Sequence, residues 1–379
     1  MLKIIYVKGG YIMAKRIEGT TPKADGYRMP GEFEEQECVW MLWPWWNGNW
    51  RLGAKPAQEA FCNVARAIAK FEPVKMCVPP TQYENAVARL GGTDNVSIIE
   101  MTNNDSWIRD TGATFLVNDK GGLRAVDWDF NAYGGLVDGL YFPWDQDSMI
   151  ARKMCEIVNA DSYKPGIVLE GGSIHVDGEG TCLTTEMCLL HESRNPDKSK
   201  EELEQYLKDY LNCEKVIWVK DGIDPYETNG HIDDVACFVR PGEVLCIYTE
   251  DENHPFYNEA QAAYNFLCEQ TDAKGRKLKV HKLCVTKEPC YLKDADTIDY
   301  AEGAIPREEG EISIASYLNF LIVNGAIILP QYGDENDALA VEQVKAAFPE
   351  REVVGVLTTE VAYGGGNIHC ITQQQPKVN

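Results

Sequence analysis

The sequence predicts an α/β fold built from one repeated unit. Three observations carry this: strand–turn–strand signals recur along the 379 residues, a helical pattern follows each, and strand-like runs follow several of the helices. The first hairpin joins Thr114–Val117 to Leu123–Val126 across Asn118-Asp119-Lys120-Gly121-Gly122, which has the composition of a turn. The second joins Ser173–Val176 to Thr181–Thr184, the third Val235–Val239 to Val244–Tyr248, the fourth Phe320–Val323 to Ala326–Leu329. Helical patterns follow at Ser148–Val158, Pro196–Leu211, Pro255–Glu269 and Asp337–Phe348, with Pro196 suited to a first helical position. A further helix, Pro56–Phe71, has apolar residues at 57, 60, 61, 64, 65, 68 and 71, one face of a helical period. Strand-like runs close the units at Val74–Val78, Lys215–Val219, Leu278–Val285 and Val353–Leu357. The fifth hairpin is expected to pair Glu37–Trp43 with Ile368–Thr372. Five units without Pro/Ser-rich linkers imply a closed ring, because one unit alone cannot bury both faces of its sheet. In a ring, the polar motifs at the strand ends converge on one central mouth.

Composition narrows the function. A 44% hydrophobic content supports a large core and excludes disorder. The formal charge of −23 excludes a nucleic-acid partner, which needs clustered Lys and Arg. It suits a cationic small molecule, although a plain acidic surface would read the same. Thirteen scattered cysteines indicate a reducing, cytoplasmic setting rather than a disulfide framework. Cys182, Cys188 and His191 lack the close pairs of a zinc site, so no metal is expected. No stretch approaches a membrane span, and Lys8 ends the apolar run Ile4–Val7 too early for a signal peptide. Met13 reads as a second start, so residues 1–12 are expected to be an extension and 13–379 one catalytic domain.

Cys370 follows the glycine run Gly364-Gly365-Gly366, which lets the backbone approach a ligand. A thiol placed there is a candidate nucleophile, although most cysteines are buried packing residues. Asp110 and Glu170 are isolated carboxylates that suit a planar guanidinium, with Trp107 offering a ring face to the same cation. Taken singly, Asp110 reads as well as a partner of a nearby Arg, and Glu170 as a cap. His231 is a candidate acid/base. Asp233 shares its face if the segment is a strand, leaving Asp234 pointing away. The same alternation would separate His369 from Cys370. Trp40, Trp43, Trp45, Trp46 and Trp50 read as core or subunit packing, with one of them free to line a channel.

The segments Met29–Glu34, Trp107–Asp110, Leu169–Ser173, Glu227–Asp233 and Gly364–Cys370 together resemble those of the agmatine deiminases, in unbroken order from Met13 onward. The resemblance implies the pentein fold, an α/β propeller of five ββαβ units around a pseudo-fivefold axis. It implies Cys370 as the nucleophile carrying an amidino intermediate, and His231 as general acid/base. Asp110, Glu170 and Asp233 would clamp the guanidinium, Glu227 would take the far amine, and Trp107 and Gly366 would border the substrate. The implied reaction converts agmatine to N-carbamoylputrescine and ammonia, in putrescine formation or agmatine breakdown, without a cofactor. A cytoplasmic homo-oligomer, dimer or tetramer, is expected. A bacterial-type peptidylarginine deiminase, an amidinotransferase and a silent guanidine- or polyamine-binding protein stay open; binding alone, however, requires no thiol.

Overall fold

Each hairpin signal becomes the antiparallel half of a small mixed sheet in the computed structural model, which describes residues 14–378. The expected extension at residues 1–12 lies outside them. Thr114–Val117 pairs antiparallel with Leu123–Val126, and after helix Ile150–Val158 the strand Asp161–Tyr163 joins in parallel. Ile174–Val176 and Thr181–Thr185 are followed by helix Lys200–Leu211 and parallel strand Lys215–Val219. Ala236–Arg240 and Glu243–Tyr248 lead through helix Tyr257–Glu269 to Lys279–Cys284. Leu321–Val323 and Ala326–Gln331 lead through Asp337–Ala347 to Glu352–Leu357. The last sheet pairs Thr372–Pro376 antiparallel with Gln36–Leu42, and helix Lys55–Ile68 brings back Val74–Val78. The fold is α/β, with mixed sheets because a helical crossover returns each third strand in parallel.

Many boundaries move by one to three residues, and two element starts move by four. The helix expected from Pro196 begins at Lys200. There the Ser199 hydroxyl accepts from Glu202 N (3.2 Å) and the Glu202 carboxylate from Ser199 N (2.8 Å). This reciprocal cap satisfies two orphan donors at once and so outcompetes the proline start. The final strand begins at Thr372, not Ile368. Residues before it form tight turns, with Ile371 N donating to Asn367 O and Thr372 N to His369 O, so the backbone is not extended there.

Apolar faces meet between sheets and helices. On Lys55–Ile68 the buried Phe61, Val64, Ala65 and Ile68 pack in one cluster with Trp43, Trp50 and Met76. Trp40, Trp43 and Trp50 are core residues, whereas Trp46 lines the main cavity.

Candidate active site

The polar residues collect where the units' first hairpin strands begin. Asp110 precedes Thr114–Val117, Glu170 precedes Ile174–Val176, and His231 and Asp233 precede Ala236–Arg240. Asn319 precedes Leu321–Val323, and Cys370 precedes Thr372–Pro376. Each of these five mixed sheets therefore brings a polar group to the cluster from the same topological position. Asn319 was missed in the sequence; that repeated position was the one signal able to find it.

Cys370 is 4% exposed. Its Sγ lies 3.1 Å from the donating Asn319 Nδ2 and 3.8 Å from Asp233 Oδ2, while its N–H donates to Asn319 Oδ1. The glycine run is needed sterically. A Cβ on Gly366 would stand 2.8 Å from the Trp107 ring and 3.1 Å from Cys370 Sγ. Gly365 has φ +105, and a Cβ there would collide with Glu227 at 1.8 Å.

Asp110 sits in the one-turn helix Ile108–Thr111, its Oδ1 accepting from Gly172 N (2.9 Å) and its Oδ2 from the Tyr133 hydroxyl (2.8 Å). Neither expected alternative holds for the carboxylates. Arg109 donates to His369 O and Gln374, not to Asp110, and Glu170, though at the N-cap of the 3-10 helix Gly171–Ser173, makes no side-chain cap bond. Instead Glu170 Oε1 accepts from Arg194 Nε at 2.7 Å, both side chains fully buried. His231 lies between them, Nδ1 3.8 Å from Asp110 and Nε2 3.9 Å from Glu170. Both ring nitrogens are without a hydrogen bond, Nδ1 turned to Asp110 and Nε2 to Glu170. A Cβ on Gly172 would meet His231 Nδ1, Asp233 Oδ2 and Asp110 Oδ1 at 2.6–3.0 Å, so these three atoms converge on one point.

His231 and Asp233 are not in a strand. His231 enters the short 3-10 helix Ile232–Asp234, whose tight turn, not strand alternation, brings the two together. Asp234 does not turn away from the cluster: its Oδ1 accepts from Asn319 Nδ2, the same amide that contacts Cys370 Sγ. The strand argument against His369 also falls. Its Nδ1 is 2.8 Å from Asp233 Oδ2 and its Nε2 2.9 Å from Glu32 Oε2. Two carboxylate acceptors require both nitrogens to be protonated, making His369 a buried imidazolium that steadies Asp233 from behind. Asp233 Oδ1 is left unpartnered.

Electrostatics divide the labour. Burial opposes the Glu170 carboxylate, but Arg194 and His231 outweigh it and hold the group down at about 2. Burial also opposes charge on His231, yet Asp110 and Glu170 keep its imidazole well above the usual range. Burial, then Asp233, Asp234 and Asp110, push the Cys370 thiol well up. Without a nearby cation Cys370 is held as a thiol.

A cavity of about 940 Å³ opens over this cluster, lined by Trp107, Asp110, Glu227, Arg307 and Cys370 among others. Glu170, His231, Asp233 and Gly366 pack behind that lining. Glu227 is not free: Arg307 grips both its oxygens, at 2.7 and 3.0 Å. Cys188 lies with Glu170 and His231, not with Cys182 and His191; Glu170–Cys188–His231 and Glu32–His175–His369 are the metal-capable groups among the described residues. Arg194 already holds Glu170, and Asp233 holds His369.

A sequence model of the family described as Porphyromonas-type peptidyl-arginine deiminase matches residues 28–376. A Streptococcus mutans protein provisionally named agmatine deiminase is 76% identical over 367 residues, covering 96% of this chain and 100% of the relative. The chain belongs to this family, among its agmatine deiminases. A solved structure described as agmatine deiminase of Enterococcus faecalis catalyzing its reaction is 62% identical. It superposes with a TM-score of 0.94, covering 96% of this chain and 100% of the other. The agmatine deiminase of Pseudomonas aeruginosa is 52% identical over 360 residues, 94% of this chain and 97% of the relative.

Proposed function

We propose that this protein hydrolyses agmatine to N-carbamoylputrescine and ammonia through a covalent intermediate on Cys370. One observation carries the reading: a buried thiol, an imidazole with two unpartnered nitrogens and an unpartnered Asp233 oxygen share one site. Binding alone needs none of that nucleophilic chemistry.

The substrate guanidinium sits against Asp110 and Asp233, with Trp107 along its face. Its charge offsets the carboxylates that keep Cys370 protonated, so the thiol gives its proton to water and the thiolate forms beside the cation. Sγ attacks the central carbon, and the tetrahedral adduct breaks one C–N bond as His231, protonated, gives its proton to departing ammonia. Neutral His231 then takes a proton from water, whose oxygen adds to the S-linked amidinium carbon. The C–S bond breaks as the adduct's hydroxyl becomes the urea carbonyl, its proton goes to the departing Cys370 sulfur to restore the thiol, and the urea-type product is released. Glu170 keeps His231 charged from the far side, with Arg194 fixing it.

Glu227 remains the partner for the far amine, since each of its oxygens keeps a second lone pair beside Arg307. Asp224, Glu259 and Glu311 also line that end and favour a dication. In this reading the five sheets close into a pentein propeller, residues 13–379 form one catalytic domain, and the enzyme works as a cytoplasmic homo-oligomer on the route to putrescine. No helix among the described residues is long and apolar enough to cross a membrane.

Incubation with agmatine, arginine and a peptidylarginine, following ammonia and N-carbamoylputrescine, tests the reading. Turnover of agmatine alone, lost in Cys370→Ala, is expected. Preference for peptidylarginine would move the protein to the activity its family description carries.

A further inference from the structure

We infer that Arg307 is a positioning residue of the reaction, a latch that fastens the mouth segment, residues 298–312, onto the three loops carrying the chemistry. Its guanidinium donates from Nη1 and Nη2 to the two oxygens of Glu227, from Nη2 to Gly364 O (2.7 Å), and from Nε to Asn49 Oδ1 (2.8 Å). Each acceptor leads to a different part of the site. Glu227 lies on the loop that continues into His231 and Asp233, and Gly364 opens the glycine run before Cys370. Asn49 donates to Asp105 Oδ2 (3.0 Å), the oxygen that also accepts from Trp107 Nε1 (2.9 Å). One side chain thus ties together the wall, the acid/base loop and the nucleophile loop.

The mouth segment itself is loosely built. Tyr300 is 84% and Ile305 52% exposed, although Ala304, Ile305 and Pro306 border the cavity. Ile305 N donates to Leu140 O, and Asp299 N to Asn47 O, contacts that lie along the rim. Arg307 reaches inward from this segment, its side chain 14% exposed. Lysine cannot replace it, because one ammonium lacks the planar fork that spans Glu227, Gly364 and Asn49 together. Guanidinium geometry is therefore used twice in this cavity: once for the substrate, once to close the wall around it.

Arg307→Lys and Arg307→Gln, made in the full chain with Glu227→Gln as partner, test the latch. The effect on turnover rests on agmatine being the substrate; a second readout, the rate at which iodoacetamide labels Cys370 by peptide mass spectrometry, does not. Both Arg307 variants are expected to lose about 10- to 100-fold in kcat, as loosened alignment costs. Their melting temperatures should hold while Cys370 labels several-fold faster, and Arg307→Gln combined with Glu227→Gln should be no worse than the poorer single variant. Unchanged kcat with a lower KM overturns the latch and makes Arg307 a competitor for the amine site. A fall in melting temperature that accounts for the whole loss in both variants also overturns it. If the wild type leaves agmatine untouched, the substrate reading fails and labelling alone decides: faster in the variants supports the latch, unchanged overturns it.

Discussion

The inner end of the cavity and its mouth hold charge in different ways. Inside, Asp110, Glu170, Asp233 and Cys370 sit at the starts of hairpin strands. Their fixed oxygens have partners in Gly172, Tyr133, Arg194 and His369, and the unpartnered atoms face the reaction. At the mouth, Glu227 and Arg307 hang from connections between sheets, and Glu259 and Glu311 line a wall without a comparable frame, although Asp224 beside them is held by the Glu227 and Thr228 backbone. The difference separates precision from attraction. Bond-making needs atoms held against a rigid sheet, whereas drawing in a flexible diamine-like chain needs only negative charge of about the right place and sign.

The largest expected effect breaks the inner end sterically. Gly172→Ala puts a methyl where His231, Asp233 and Asp110 converge, and should lower kcat at least about 100-fold while the melting curve stays near wild type. Agmatine turnover within a few-fold of wild type would show that the three atoms need not meet.

Next comes Glu170→Gln, which leaves Arg194 buried without its counterion. A destabilisation of about 3–5 kcal/mol is expected in urea unfolding. Because the folded Glu170 lies at about 2, below its unfolded value, its contribution is present above the unfolded pKa and fades as pH falls toward 2. The acid limb of wild-type stability should therefore be flattened in the variant; an unchanged limb would assign acid sensitivity elsewhere.

The pH profile sharpens the contrast further. Cys370 must lose a proton that burial and carboxylates retain, and His231 must keep one that Asp110 and Glu170 hold. With both groups raised, kcat/KM for agmatine should peak on the alkaline side of neutrality, falling below as Cys370 protonates and above as His231 deprotonates. A plateau beginning near pH 6 would contradict the high thiol. The smallest effect belongs to the mouth: Glu259→Gln or Glu311→Gln should raise KM roughly two- to threefold with kcat unchanged, a change that added salt imitates.

Much of this was legible in the sequence because two kinds of pattern are local. Hairpin turns and alternating apolar runs located strands such as Thr114–Val117 and Val74–Val78 to the residue. The glycine run marked Cys370 because a Cβ has no room there. Pairings between distant segments left no such mark. Nothing near Arg194 announces Glu170, and nothing near Arg307 announces Glu227, since an ion pair constrains space and not spacing. The His369 reading failed for a related reason. A strand was assumed where Asn367–Thr372 fold into turns, and turns aim neighbours by hydrogen bonding rather than by alternation.

The pairing of Thr372–Pro376 with Gln36–Leu42 has a consequence for how the enzyme comes into being. Gln375 meets Cys38 across 337 residues of sequence, so this pairing forms only after the sheets encoded between its strands have been synthesised. Contacts of such separation form late and slowly. Cys370, held by the turn that feeds this last strand, is therefore absent from the ribosome-bound chain until its tail emerges. A half-made molecule can fold sheets but cannot touch a guanidine.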